Sequence, residues 1–331
     1  MSNDRVAALL EDIEAGPTAL ADLLDAYAAP GGPLAGIGGR PARVVFTGLG
    51  SSRYAAQTAA AQARRAELPA WAEFASTGSP APPDEDLVLV AISASGRTRE
   101  VVAAARRHLD ISRVVAVTND PESPLAAEAD HVLPLLAGQE SAGIATRTFR
   151  ATIAVLGMLI GRWGGAVETA ASLRPTVEGL RAVMDGNGAW LPAAAELLDG
   201  APAIDVIGDA ADAALVQQAA LMLREAPRLP AAAHETGDWL HTAVYLALPG
   251  HRALLLSGAE GDEEVIATIA RRGGETIVVG DPIAGAAQSI ALPLPAGSGP
   301  FERAIVGSVV TELLAAELWR RTSAEEDGSE Y

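Results

Sequence analysis

Two stretches of the chain set hydroxyls beside glycine where a strand gives way to a helix. One is TGLGSSRY, residues 47–54, and the other is SASGRTRE, residues 93–100. Ser51, Ser52, Ser93, Ser95 and Thr98 supply hydroxyl donors, and Gly50 and Gly96 let the backbone come close to a bound group. The N-terminus of each following helix adds unpaired N–H groups and a partial positive charge. Together these features suit an anion, such as the phosphate of a small molecule. Serine and threonine also cap helices with no ligand involved. One such turn alone would be read as a cap; two on neighbouring strands leave cap and ligand evenly balanced.

A second set of residues could move protons. In LMLREAPRLPAAAHETGDWLHTA, residues 221–243, Glu225 closes a predicted helix and His241 follows sixteen residues later. Carboxylate and imidazole are the natural groups for acid–base work near neutral pH. The plainer readings are a solvated surface acid and a structural histidine. His234 and His241 are seven apart, which would put them on one helix face. With Glu235 and Asp238 nearby they could form a metal set, but the spacing is not H-E-x-x-H and no metal is expected. Glu140, in ESAGIATRTF, reads by itself as a loop acid.

These groups need a frame. RVVFTG, LVLVAIS and RVVAVTND are continuous aliphatic strands, each followed by a helical stretch, which argues for a parallel sheet covered on both faces. PAWAEFAS and HVLPL read as further strands. After a mainly helical stretch, 145–198, the pattern returns with AIDVIGDA, RALLLSG, ETIVVGD and SIALPLP. The chain therefore reads as α/β with two similar parallel-sheet domains. The boundaries are 1–40 for N-terminal helices and linker, 41–165 for the first domain, 166–199 for a helical connection and 200–320 for the second. Residues 321–331 read as a disordered acidic tail. The second domain's own turn, IGDAADAA (207–214), lacks the hydroxyls of the first.

Composition narrows the chemistry. The chain has 331 residues, 49% hydrophobic and 20% charged, with a net charge of −18. Such an acidic balance argues against nucleic acid. No apolar run reaches the ~18 residues of a membrane span, and the N-terminus does not read as a signal peptide. There is no cysteine and no lysine. Thiolate catalysis, lysine Schiff bases and a lysine-bearing phosphate loop are therefore excluded. GLGSSR begins like a dinucleotide turn, but Arg53 stands where the third glycine belongs. No cofactor is expected.

The turns resemble those of the sugar isomerase (SIS) domain, and residues 40–320 resemble a double-SIS protein. The resemblance extends to the isomerase half of glucosamine-6-phosphate synthase and to stand-alone aminosugar-phosphate deaminases and deglycases. GLGSSRYAA resembles the G-x-G-[TS]-S turn, EFAS the end of the second strand, and ISASGRTRE the I-S-x-S-G-x-T phosphate loop. ESAGIATRTF resembles E-x-x-V-A-S-T-K-x-F. The resemblance implies that Ser51, Ser52, Ser93, Ser95, Gly96 and Thr98 hold a sugar phosphate, with Gly50, Glu140 and Thr146 beside the sugar. It makes His241 the ring-opening group and Glu225 the C1/C2 proton carrier. It also implies a cytoplasmic homodimer. The chain departs from the pattern at Ala94, where glutamine is common, at Thr242 and Ala243 after the histidine, and in lacking a tail lysine. Without a cysteine nucleophile, no glutamine hydrolysis is expected. The expected function is that of a phosphosugar isomerase or deaminase acting on an aminosugar phosphate or a related ketose or aldose phosphate. The alternative is a regulator that binds a phosphosugar without converting it.

Overall fold

A computed structural model of the chain describes residues 2–164 and 169–328. Two helices, α1 (Ser2–Glu14) and α2 (Gly16–Ala28), open the chain. Then come β1 (Arg43–Gly48), α3 (Ser51–Arg65), β2 (Ala70–Phe74), β3 (Leu87–Ile92), α4 (Arg99–His108), β4 (Arg113–Thr118), α5 (Pro124–Ala127), β5 (His131–Pro134), α6 (Arg147–Arg162) and α7 (Ala170–Leu173). The chain continues as α8 (Pro175–Asp185), α9 (Leu191–Leu198), β6 (Ile204–Gly208), α10 (Ala213–Glu225), β7 (Ala231–Glu235) and α11 (Thr236–His241). It ends with β8 (Arg252–Leu256), α12 (Asp262–Arg271), β9 (Glu275–Val279), β10 (Gln288–Ile290) and α13 (Pro300–Gly328).

The fold divides into two compact units. The first comprises Gly16–Gln139 and Arg147–Val177. Its sheet is parallel throughout, with strand order β2-β1-β3-β4-β5. Every residue of β3 is buried. A six-residue run of valine, leucine, isoleucine and alanine is stable only where helices cover both faces. Beneath α4, Val45, Leu89, Ala91, Val101, Ala105 and Val114 form one apolar cluster.

The second unit comprises residues 2–15, Glu140–Thr146 and 178–328. Its parallel sheet has the order β10-β9-β8-β6-β7. Counted from its own first strand, the order is again 2-1-3-4-5, so the connection reverses direction between β6 and β8 as it does between β1 and β3. Ligands of such sheets bind beyond the carboxyl ends of the strands at this reversal. The excursion Glu140–Thr146 belongs to this unit. The Asp12 carboxylate accepts the Ala142 N–H at 2.9 Å, and Gln218 donates to the Ala145 carbonyl at 3.0 Å.

Three local expectations change. His234 lies on β7, not on a helix with His241; register with β6, where Ala233 sits opposite Val206 and His234 opposite Ile207, overrides the helical preference of three alanines. The strand expected over SIALPLP shrinks to three residues, because Pro293 and Pro295 have no N–H to give the ladder. Helix α13 runs on through 321–328, where an unstructured tail was expected; Ala324, Glu325 and Glu326 are good helix formers. The last part of that expected tail, 329–331, and part of the expected helical connection, 165–168, lie outside the described residues.

Candidate functional site

In the first unit both hydroxyl turns stand at the carboxyl ends of the strands that flank the reversal. After β1 the chain turns at Gly50, with φ of +55°, a conformation that favours glycine. Gly50 is also the N-cap of α3, so no side chain caps that helix. Ser51 and Ser52 open its first turn, each half-buried. After β3, Ser93 extends the sheet through its N–H to the Val117 carbonyl at 3.0 Å. Its buried hydroxyl lies 3.0 Å from that of Thr98. Thr98 is the N-cap of α4, yet its side chain makes no capping hydrogen bond. The cap reading of these turns therefore fails for both helices.

The β3 turn is held from behind. Asn119 N–H and Thr118 Oγ1 both donate to the Ala94 carbonyl, at 2.9 and 3.2 Å. Gly96, with φ of +62°, sits so close to Ser123 that a Cβ would meet the Ser123 Oγ at 2.0 Å. Its carbonyl accepts the Leu125 N–H at 3.0 Å. Ser95 is exposed, and its hydroxyl accepts the Arg97 N–H at 3.2 Å. A rigid turn thus presents Ser95 and the start of α4 outward, which is the arrangement that binds anions without reorganisation.

The second unit carries the other candidates. Glu140 and Thr146 meet: Oε1 of Glu140 accepts from the Thr146 N–H at 2.7 Å and from its hydroxyl at 3.2 Å. Glu225 closes α10 with an open surface, but the packed helix end strips enough water to raise its pKa, against the lowering effect of Arg224. His241 ends α11 and is exposed. The structure thus brings Ser93 together with Thr98 and Glu140 together with Thr146.

What places His241 was not foreseen from sequence. Helix α11 is pinned at two points. Trp239, fully buried, donates its indole N–H to Asp205 at 2.8 Å. Thr236 donates to Asp262 at 3.0 Å. Glu235 adds an N-cap, accepting the Asp238 N–H at 2.7 Å. Two histidines surround Asp205. His234 Nε2 lies 3.3 Å from Oδ1, and His251 Nε2 lies 3.2 Å from Oδ2, off the line of a well-formed hydrogen bond. Burial works to raise the pKa of Asp205, but the imidazoles of His234 and His251 and the Trp239 indole N–H beside it together hold it well below the usual carboxylate range. An aspartate inside an aliphatic strand was the available signal. Among the described residues, no group of three or more histidines and carboxylates could hold a metal.

The second unit's own crevice differs. Oδ2 of Asp262 accepts the N–H groups of Gly258 and Ala259 at 2.8 and 2.9 Å, so an internal carboxylate takes up the donors of the β8 turn. Asp212, after β6, is buried against Arg303, with Nη2 to Oδ1 at 2.9 Å.

Comparison with known proteins places this geometry. The SIS domain pattern matches residues 40–162. The chain carries a SIS domain. Over 191 residues it is 33% identical to the isomerizing glutamine–fructose-6-phosphate aminotransferase of Aeropyrum pernix, covering 54% of this chain and 31% of that enzyme. The chain thus spans less than a third of that relative's length. In solved structures, the fold of this chain is similar to tagatose-6-phosphate ketose/aldose isomerase from Escherichia coli (TM-score 0.77, 17% identity, 95% of this chain and 93% of that one). It is also similar to glucosamine-6-phosphate deaminase from Thermotoga maritima (TM-score 0.70, 16% identity, 95% of each chain).

Proposed function

We propose that this SIS protein converts a phosphorylated sugar, by isomerisation or by deamination with isomerisation of an aminosugar phosphate. The observation that carries this reading is the pair of turns at the reversal between β1 and β3, whose helices start without a side-chain cap at Gly50 and Thr98. Ser51, Ser52, Ser95 and Thr98 would hold the phosphate with the free N–H groups of α3 and α4, and Gly50 and Gly96 would let it approach. The relatives named above act on phosphosugars, in keeping with this. The two units would then be tandem SIS domains, paired in a homodimer of a cytoplasmic enzyme.

In the proposed chemistry, His241 carries the proton from the anomeric hydroxyl to the ring oxygen, opening the ring. Glu225 then takes the C2 proton and returns it to C1. A base with a raised pKa holds a proton more readily between those two steps. For an aminosugar phosphate the product imine takes up one water and releases ammonia, leaving the ketose phosphate. Glu140 and Thr146 would lie beside the sugar. The chain has no cysteine, so its own residues offer no thiolate for glutamine hydrolysis.

A second reading is a regulator that binds without turnover, favoured by the absence of lysine and by Ala94 in the phosphate turn. One assay separates the two. Glucosamine 6-phosphate is supplied, and ammonia and fructose 6-phosphate are both measured. Equal amounts of both support the deaminase. No product together with a raised melting temperature supports the binding protein or a different phosphosugar. Absence of both product and stabilisation would count against glucosamine 6-phosphate as its ligand.

A further inference from the structure

Arg53 removes the dinucleotide reading in the sequence, and in the structure it stands at the edge of the anion crevice. It follows Ser52 directly, in the first turn of α3. Its guanidinium carbon lies 3.9 Å from the centre of the Phe74 ring. Its Nε is buried without a hydrogen-bond partner. Burial lowers its pKa, against the opposing effect of Tyr54. Three other arginines of this unit face a carboxylate: Arg43 with Asp84 at 2.7 Å, Arg97 with Asp120 at 2.9 Å and Arg106 with Glu128 at 2.8 Å; buried Nε atoms without a partner also occur at Arg43 and Arg113.

Phe74 is equally unexplained by packing. It is 52% exposed and ends β2, in register with Gly48. A half-exposed ring beneath a partly dehydrated cation makes a flat platform at the carboxyl end of the edge strand. With its face on the ring, a guanidinium keeps its N–H groups in plane, the geometry that grips a carboxylate in a fork.

We propose that Arg53 and Phe74 form a second anion subsite, which takes a carboxylate on a phosphosugar whose phosphate sits at the Ser95–Thr98 turn. This rests on the assignment of that turn to phosphate made under the proposed function. The strand order supplies the spacing. β2 and β3 lie on opposite sides of β1, so their ends are about 10 Å apart, two strand intervals. A phosphate beyond β3 and a carboxylate beyond β2 thus suit the two ends of a six-carbon chain. The class of ligand is a phosphorylated sugar acid.

The test compares two ligands that differ only at that end. 6-Phosphogluconate carries the carboxylate, and sorbitol 6-phosphate carries a hydroxymethyl group there. Binding of each is measured by calorimetry on the full chain. The unaltered protein should prefer the acid by about tenfold, the worth of one charge-assisted fork. Arg53→Met should erase the preference and leave sorbitol 6-phosphate within about twofold. Equal binding of the two by the unaltered protein, which needs no variant, overturns the subsite and leaves the phosphate turn standing. A preference that survives Arg53→Met, or an equal loss of both ligands in it, also overturns the subsite. Failure of both ligands to bind removes the phosphate assignment itself, and this proposal with it.

Discussion

The indole of Trp239 is tied to the carboxylate of Asp205 at 2.8 Å inside the second unit, and Trp239 lies two residues before His241 on the same short helix. A six-residue helix has almost no stability of its own. Its position comes from this bond and from the Thr236–Asp262 bond. Asp205→Ala leaves a buried indole N–H without its acceptor and two histidines without the carboxylate between them. The expected loss is about 2 kcal/mol, the cost of stranding buried donors, read from urea unfolding. Trp239→Phe removes the same bond together with part of a fully buried ring, so a cavity cost is added to it. An unchanged midpoint for Asp205→Ala would show the bond to be dispensable.

The same carboxylate predicts an acid limb. Its folded pKa is depressed, with burial opposed by the neighbouring His234, His251 and Trp239. A depressed acid contributes stability that is fully present above its unfolded pKa, about 3.9. That stability is lost as pH falls toward the folded value. Wild type and Asp205→Asn should therefore differ most above pH ~4 and converge in strong acid. Unfolding midpoints followed across acidic pH provide the check. Glu225 has the opposite sign: its raised pKa adds stability below its unfolded value, about 4.3, that fades as pH rises through the folded one. Glu225→Gln should abolish turnover, leave phosphosugar affinity nearly intact and remove that limb.

The strands were legible because continuous aliphatic runs at LVLVAI and RVVAVT admit one environment, a sheet covered on both faces. The reversal-point turns were legible because hydroxyls and glycine follow those runs at once. His234 was not, since AAAHE favours a helix locally and only pairing with β6 makes it a strand. Asp205 and Trp239 are 34 residues apart, so no local pattern links them. Arg53 was noticed, but as an obstacle to one cofactor; its pairing with Phe74 needs the register of β2 on β1.

The exposed hydroxyl of Ser95 should matter for ligand and not for fold, whereas that of Thr98 also meets the buried Ser93 hydroxyl. Ser95→Ala and Thr98→Val should each weaken phosphosugar binding by roughly tenfold, as loss of a hydrogen bond to a charged group does. The unliganded melting temperature should hold for Ser95→Ala, whose side chain is exposed. A large fall in that temperature would assign Ser95 to the fold instead.

Gly96 should tolerate no side chain. Its φ of +62° and the 2.0 Å approach to Ser123 Oγ both act against a Cβ. Gly96→Ala should cost at least about 1 kcal/mol of stability through the backbone alone, and more from the clash. Gly78→Ala is the control, since a Cβ there meets nothing within 4 Å.

The Asp212–Arg303 pair gives a third stability test. Arg303→Met leaves Asp212, 2% exposed, without its cation. Removing one partner of a buried pair costs about 3–5 kcal/mol, reduced here because Arg303 is partly open to water. Burial already raises the pKa of Asp212 despite Arg303, so the variant should be relieved in acid, where that carboxyl protonates.

Asp262, which accepts the Gly258 and Ala259 N–H groups, makes the two crevices unequal in a countable way. A turn whose donors already face a covalently attached negative charge offers a free anion repulsion rather than a seat. Saturation with a phosphosugar should then stop at one equivalent per chain, despite two sheets of the same strand order. The repeat is duplicated in architecture and single in occupancy.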